Sequence, residues 1–410
     1  MRLKYRGDVS FSLAVFFLKL VGFWSSASRA EKWLRYATTV YSVMALAFCM
    51  WAQTRDIYFS WGDFGACAYI ACMILVVTMD LVKMFILVVH KKRFLGLIVY
   101  MQKHFWQCDY DEYENRIIDD TKQMCVYFVC VFSFFCQSTD FLYTVRPVIS
   151  NIGKNDTDRG LIFNMWLDLP LSTSPYFEIT YVIQALALYH LSVCYLCFDN
   201  MLCIMCLHVA GQFRILQYRF DNTPSQRGKK KFDEDPIVDS SKCYTTLKDC
   251  IRQHQALIEF CFALEEIFKV FIFGQVLMFS TLICFVGYQV LLADLNPEWR
   301  SFFISFLMAN MSQLWIFTYS CDCLTRESLN VAPAVYAGPW IHLPMDKFGK
   351  TMRKDLQLVV VRSRRACCLT ACGFFPISLE TYTKVLLLIM STSMSYFTIL
   401  KQRTVDATDS

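Results

Sequence analysis

Ile377-Ser-Leu-Glu-Thr-Tyr-Thr-Lys-Val-Leu-Leu-Leu-Ile-Met-Ser-Thr-Ser-Met-Ser-Tyr-Phe-Thr-Ile-Leu400 is apolar over more than the ~20 residues that a helix needs to cross a bilayer. It follows a basic patch (Arg362, Ser363, Arg364, Arg365) and a turn at Gly373 and Pro376. Thr381, Thr383, Lys384, Ser391, Thr392, Ser393, Ser395 and Thr398 interrupt the run. A helix facing only lipid gains nothing from these groups, whereas one lining water tolerates them. The same residues also fit a close helix–helix contact. The run therefore reads as a pore-lining or bundle-core helix.

Working outward, the chain is 56% hydrophobic and only 18% charged, which excludes an ordinary soluble domain. Six further stretches are long and apolar enough to span, over residues 33–53, 64–90, 124–145, 176–211, 267–292 and 301–320. An all-α polytopic membrane protein with seven transmembrane helices is expected. Three quarters of the 40 Lys and Arg residues lie before the first span or in the second-to-third, fourth-to-fifth and sixth-to-seventh connections. Cytoplasmic loops carry such an excess, so the amino terminus is expected inside and the carboxyl terminus outside. Asn155-Asp-Thr is a glycosylation sequon in a connection assigned to the outside. All 20 Cys fall in spans or inner segments, so outer disulfides are not expected.

The basic, apolar start superficially resembles a signal peptide. Lys19 breaks its run and no cleavage pattern is clear, so a retained amphipathic helix at the membrane edge is expected. Asp80 and Lys83 share one face of the second span and read as a buried ion pair. Residues 176–211 would extend about 54 Å, against a hydrocarbon core of about 30 Å, so this span either tilts steeply or projects into the cytoplasm. His190 and His208 on it read as packed core residues, and the spacing of Cys321, Cys323, Cys367, Cys368 and Cys372 matches no zinc pattern. From Asp221 to Cys250 the composition turns polar and charge-blocked, as in a solvated loop; nucleic-acid binding by Lys229 to Lys231 is not expected.

Three stretches resemble the insect odorant receptor family: Leu18-Lys-Leu-Val-Gly22-Phe-Trp24, the run from Leu324 to Trp340, and the end of the chain. In the second, Ser328, Ala334, Tyr336 and Trp340 are in register, while Pro333 and Pro339 depart from the pattern and would break a helix. In the third, the matching elements are Arg362-Ser-Arg-Arg, Phe375-Pro-Ile-Ser-Leu-Glu-Thr-Tyr and Ser395-Tyr-Phe-Thr-Ile-Leu. The resemblance implies an odour-tuning subunit that assembles with the family's co-receptor into a heterotetrameric, ligand-gated, non-selective cation channel. It implies a multi-pass protein of the plasma membrane, in olfactory sensory neuron dendrites and in contact with membrane lipids. The last helix would line the pore, with Ser395, Ile399 and Gln402 carried over as pore residues by their spacing.

On that reading the chain divides into an amino-terminal segment (1–32), an odorant-binding bundle (33–211), a cytoplasmic loop (212–264), spans five and six (265–320), a cytoplasmic anchor (321–375) and the pore helix with a short tail (376–410). A small volatile would bind among the outer halves of spans two, three, four and six. The expected wall residues are Tyr69, Met73, Phe134, Gln137, Phe141, Tyr181, Gln184, Phe306 and Asn310, mostly apolar with a few groups to orient a ligand.

No phosphate loop, metalloprotease motif or nucleophile motif occurs, so neither an enzyme nor a cofactor is expected. Two alternatives stand beside the odorant receptor. A gustatory receptor is similar only in Thr381-Tyr382, without the Gln-Phe that follows in that family. A G-protein-coupled receptor would need the opposite orientation and an Asn-Pro-x-x-Tyr run that the last span lacks.

Overall fold

A computed structural model of the chain describes residues 9–23, 28–155, 159–166, 171–222, 240–291, 296–338 and 347–384, with 387 and 391. Helices follow in the order α1 (Val9–Leu20), α2 (Arg29–Phe59), α3 (Phe64–Met101) with a π-helical turn at Gln102–Trp106, α4 (Glu112–Ser150), α5 (Tyr176–Asp221), α6 (Ser240–Leu291), α7 (Pro297–Leu329), α8 (Val331–Ala337) and α9 (Lys347–Ser363). Helices α3 to α7 are long and apolar enough to cross a membrane. The first predicted span lies within α2, and the last begins in a helical turn at 379–384 before leaving the described residues. The fold is all-α, as expected.

The helices overrun the predicted spans at the basic end of the bundle. α3 continues to Met101, α5 to Asp221, and α6 starts at Ser240, well before its apolar part. An apolarity window stops where lipid stops, whereas helical geometry continues wherever one stripe still finds a partner. Residues 212–264, expected as a loop, are thus largely two helix ends. α2 and α4 start at capping boxes, in which Ser28 pairs with Glu31 and Asp111 with Glu114 across their helix starts.

α5 is the axis of the molecule. Every residue from Cys194 to Phe213 is buried, because α1, α2, α3, α4, α6, α7 and α8 all pack around it. A helix apolar on all sides is buried in protein or in lipid, and here neighbouring helices supply the enclosure. α1 joins the same core through Val15, Leu18, Val21 and Phe23, so the expected edge helix has its apolar face against protein. Gly22 turns the chain there at φ +83°, and a Cβ on it would lie 2.7 Å from the Arg35 carbonyl of α2.

At the basic end, α7 stops at Leu329 and α8 begins at Val331. Pro333 explains the break: its ring excludes a carbonyl four residues back in a continuous helix, and it sits instead in the first turn of α8. α9 buries Met352, Leu356 and Val359 against α6 and α8. Cys367 N donates to Ser328 Oγ at 2.9 Å, and Thr370 Oγ1 donates to Glu265 Oε1 at 2.6 Å. A bridge between Thr370 and Pro376, closed by Cys372 and Gly373 in left-handed conformations, returns the chain to the bundle. Ser378 Oγ then accepts from Thr381 N at 3.2 Å and starts the last helix.

At mid-bundle the Lys83 side chain is fully buried, with Nζ 2.9 Å from Asp199 Oδ2 and 3.7 Å from Asp80 Oδ1. The expected Asp80–Lys83 pair is therefore the longer contact, and the closer acid comes from α5. Removing the ammonium leaves two acids without their cation in an apolar interior. Lys83→Met should cost about 3–5 kcal/mol, read as lost surface expression and a lower unfolding midpoint. Asp80→Asn, which keeps the 2.9 Å pair, should remain near wild type.

Outside the spans, His254 is buried beside Ser363, with Nε2 to Oγ at 3.3 Å. Burial, with Arg362 nearby, lowers its pKa from 6.5 to about 4. The unfolded chain takes up this proton first as pH falls. The neutral ring therefore stabilises the fold fully above pH 6.5, and that contribution, about 3 kcal/mol, disappears as pH falls to about 4. The unfolding midpoint of the purified chain should fall over that window, and His254→Gln should flatten the decline.

Candidate functional site

Where α2 and α4 end and α3, α5 and α7 begin, the helices line a cavity of about 80 Å³. α3 supplies Met73 and Val76, α5 supplies Leu188, Leu191, Ser192 and Tyr195, and α7 supplies Phe302, Phe306, Ala309 and Asn310. α4 turns Cys136, Thr139, Asp140 and Tyr143 inward at helical spacing, while α2 adds Cys49 and Gln53. Phe163, from the connection between α4 and α5, completes the lining.

That connection is held by side chains. Gln184 Nε2 donates to Phe163 O at 2.9 Å, and Phe163 N donates to Gln184 Oε1 at 3.2 Å. Asp56 Oδ1 accepts from Trp166 Nε1 at 3.0 Å and from Asn164 Nδ2 at 3.3 Å. The aromatic wall is ordered too, with Tyr143 stacked on Phe302 at 5.1 Å and Phe302 on Phe306 at 5.9 Å between centroids. The Tyr195 hydroxyl donates to Gln313 Oε1, and Gln313 Nε2 donates to Asp199 Oδ2. A hydrogen-bonded path thus runs from the cavity wall to the buried Lys83.

Of the residues expected to contact a ligand, Met73, Phe306 and Asn310 line this cavity. Tyr69 lines a second, adjoining cavity that also touches Met73, and its hydroxyl meets that of Tyr143. Gln137 lies one layer back, its Nε2 donating to Ser192 Oγ at 3.1 Å. Gln184 pins Phe163 rather than facing the space, and the Tyr181 hydroxyl donates to Thr144 O. Phe134 and Phe141 are 67% and 58% exposed, because Phe132, Cys136, Thr139 and Tyr143 occupy the inward face of α4. Ser395, Ile399 and Gln402 lie outside the described residues, and Asn155 is exposed near the start of the connection from α4 to α5.

The cavity can hold a small apolar molecule and offers a few polar atoms to orient it. A family model for the seven-transmembrane odorant receptors matches residues 65–390. The chain belongs to the odorant receptor family. The receptor is 24% identical to Odorant receptor 67c of Drosophila melanogaster over 72% of this chain and 66% of that relative, just under two thirds of its length. It is 22% identical to Odorant receptor 13a of the same fly over 96% and 95%. Its fold is similar to that of the insect olfactory receptor OR5 from Machilis hrabei, with a TM-score of 0.80, 12% identity, and coverage of 95% and 97%. OR5 in complex with eugenol is similar at a TM-score of 0.79.

The α2 residues Cys49 and Gln53 and the connection residue Phe163 were not expected, since nothing in the sequence assigns α2 or a loop to the same space. Asp140 was within reach, because it closes the polar run from Gln137 in an otherwise aromatic stretch. Ala309 is 6% exposed and lines the cavity with an apolar side chain. Ala309→Leu should fill the space, hold or raise the unfolding midpoint of this receptor, and abolish stabilisation by small apolar volatiles.

Proposed function

We propose that this odorant receptor is the tuning subunit of a ligand-gated, non-selective cation channel formed with the family's co-receptor. On this reading it lies in the plasma membrane of olfactory neuron dendrites and binds a small volatile in the cavity beneath Phe163. The observation that carries the reading is the cavity itself: mostly apolar, and walled by five helices and a pinned connection. That the similar OR5 was solved in complex with eugenol supports a volatile as the ligand.

Several features support the remaining steps. At the basic end, Phe262, Tyr336, Leu358 and Val361 are at least 60% exposed, an apolar surface suited to packing against other subunits. Leu379 N donates to Asp322 Oδ1 at 3.4 Å, so movement of α7, which supplies four lining residues, reaches the base of the last helix. Ligand binding would favour the arrangement in which that helix moves outward. Ile399 would form the apolar constriction, with Ser395 and Gln402 beside it. Asn155 would carry a glycan on the outer side.

Expression with and without the co-receptor, recorded as whole-cell current during a panel of volatiles, tests this. Current evoked only in the pair is expected. A G-protein-dependent signal without current would overturn both the channel and the orientation. Ile399→Ala should raise ligand-free current several-fold, and an unchanged basal current would remove Ile399 from the gate.

A further inference from the structure

Two polar atoms of the cavity are buried without a partner: Asp140 Oδ2 on α4 and Gln53 Oε1 on α2. Both are acceptors. Asp140 is also the one acidic or basic side chain in the lining. The Ser192 hydroxyl bonds to its carboxyl, and Gln137 Nε2 donates to that hydroxyl at 3.1 Å, which leaves the Ser192 hydrogen for Asp140 and Oδ2 open.

Thr139 and Asn310, beside them in the lining, already have partners. Thr139 Oγ1 donates to Phe135 O at 2.9 Å and meets Ser305 Oγ at 3.0 Å. Asn310 Nδ2 donates to Phe306 O at 2.7 Å, and its Oδ1 lies 3.4 Å from the Tyr195 hydroxyl, whose hydrogen goes to Gln313. A guest therefore meets two open buried acceptors, Asp140 Oδ2 and Gln53 Oε1. Buried acceptors gain most from a guest that brings a donor, and an ionised carboxylate gains more than a neutral group.

We infer that the ligand of this receptor carries a hydrogen-bond donor, a hydroxyl or amino head group on a short apolar body, with the head group at Asp140. The inference rests on the odorant-binding reading above and deepens it. The 80 Å³ volume is about half that of an apolar cavity known to take benzene, roughly 150 Å³, so the body is small and Met73, a flexible thioether, is the wall that yields to a larger one.

Benzyl alcohol, benzylamine, anisole and ethylbenzene, matched in heavy-atom count, separate head group from body. Two readouts are needed: the shift in unfolding midpoint of the purified full-length receptor, and whole-cell current from the receptor with its co-receptor. Benzyl alcohol or benzylamine should bind and activate at concentrations at least about tenfold lower than anisole or ethylbenzene. Asp140→Leu should abolish that preference and leave weak binding of ethylbenzene. Asp140→Asn keeps an acceptor without charge, so a preference it retains names the hydroxyl and one it loses names the ammonium.

Binding within about twofold for all four compounds, no binding of any, or a preference that survives Asp140→Leu would overturn the inference. The wild-type series decides without a variant, and Gln53→Leu gives a second one should Asp140→Leu not fold. A donor preference in binding with no current in any pairing would leave the head-group assignment standing and remove the channel. Equal currents from all four would do the reverse.

Discussion

An ammonium group with no route to water fixes how three helices of this receptor meet. Lys83 on α3 is held 2.9 Å from Asp199 on α5, and the same carboxylate oxygen accepts from Gln313 on α7. The Lys83 ammonium also lies 4.1 Å from the centre of the Tyr195 ring, which steadies the cation from one side. In an apolar interior these partners are not optional, because they stand in for the solvent that each charge has lost. The mutual register of α3, α5 and α7 follows.

That register sets the shape of the cavity, since the same three helices supply most of its wall. Tyr195 belongs to both: its ring lines the cavity and its hydroxyl leads through Gln313 to Asp199. A rotation of Tyr195 to accommodate a guest therefore disturbs the hydrogen bonding of a buried charge. Polar chains in low dielectric are stiff in this sense, because an unmet group costs more there than in water. The site is coupled to the centre of the bundle by chemistry as well as by packing.

Much of this was legible in the chain. Apolar runs located the spans, because the requirement for about 20 apolar residues is imposed by lipid and not by tertiary detail. Asp80 and Lys83 announced a buried charge by their spacing, but Asp199 lies 116 residues from Lys83, and only the packed bundle brings them together. Phe134 and Phe141 attracted attention as aromatics and face outward, whereas the inward face of α4 was written in the spacing of Phe132, Cys136, Thr139 and Tyr143. Gln184 was expected in the wall of the pocket, yet it bonds a backbone that no periodicity places. Pro333 foretold the break between α7 and α8, since that constraint is local and covalent.

Phe163 is part of the cavity wall, but it belongs to a surface connection and not to a helix. Two amide hydrogen bonds from one side chain, Gln184, hold its backbone in place. Releasing them is a local event of the kind that loops undergo in nanoseconds to microseconds, whereas parting α3 from α7 would disrupt the whole aromatic wall. If the proposed site holds a scent molecule, its rate of exchange and its tightness of binding would be governed by different parts of the chain. A change at residue 184 would then alter the tempo of a response, while a change at residue 306 would alter its chemistry.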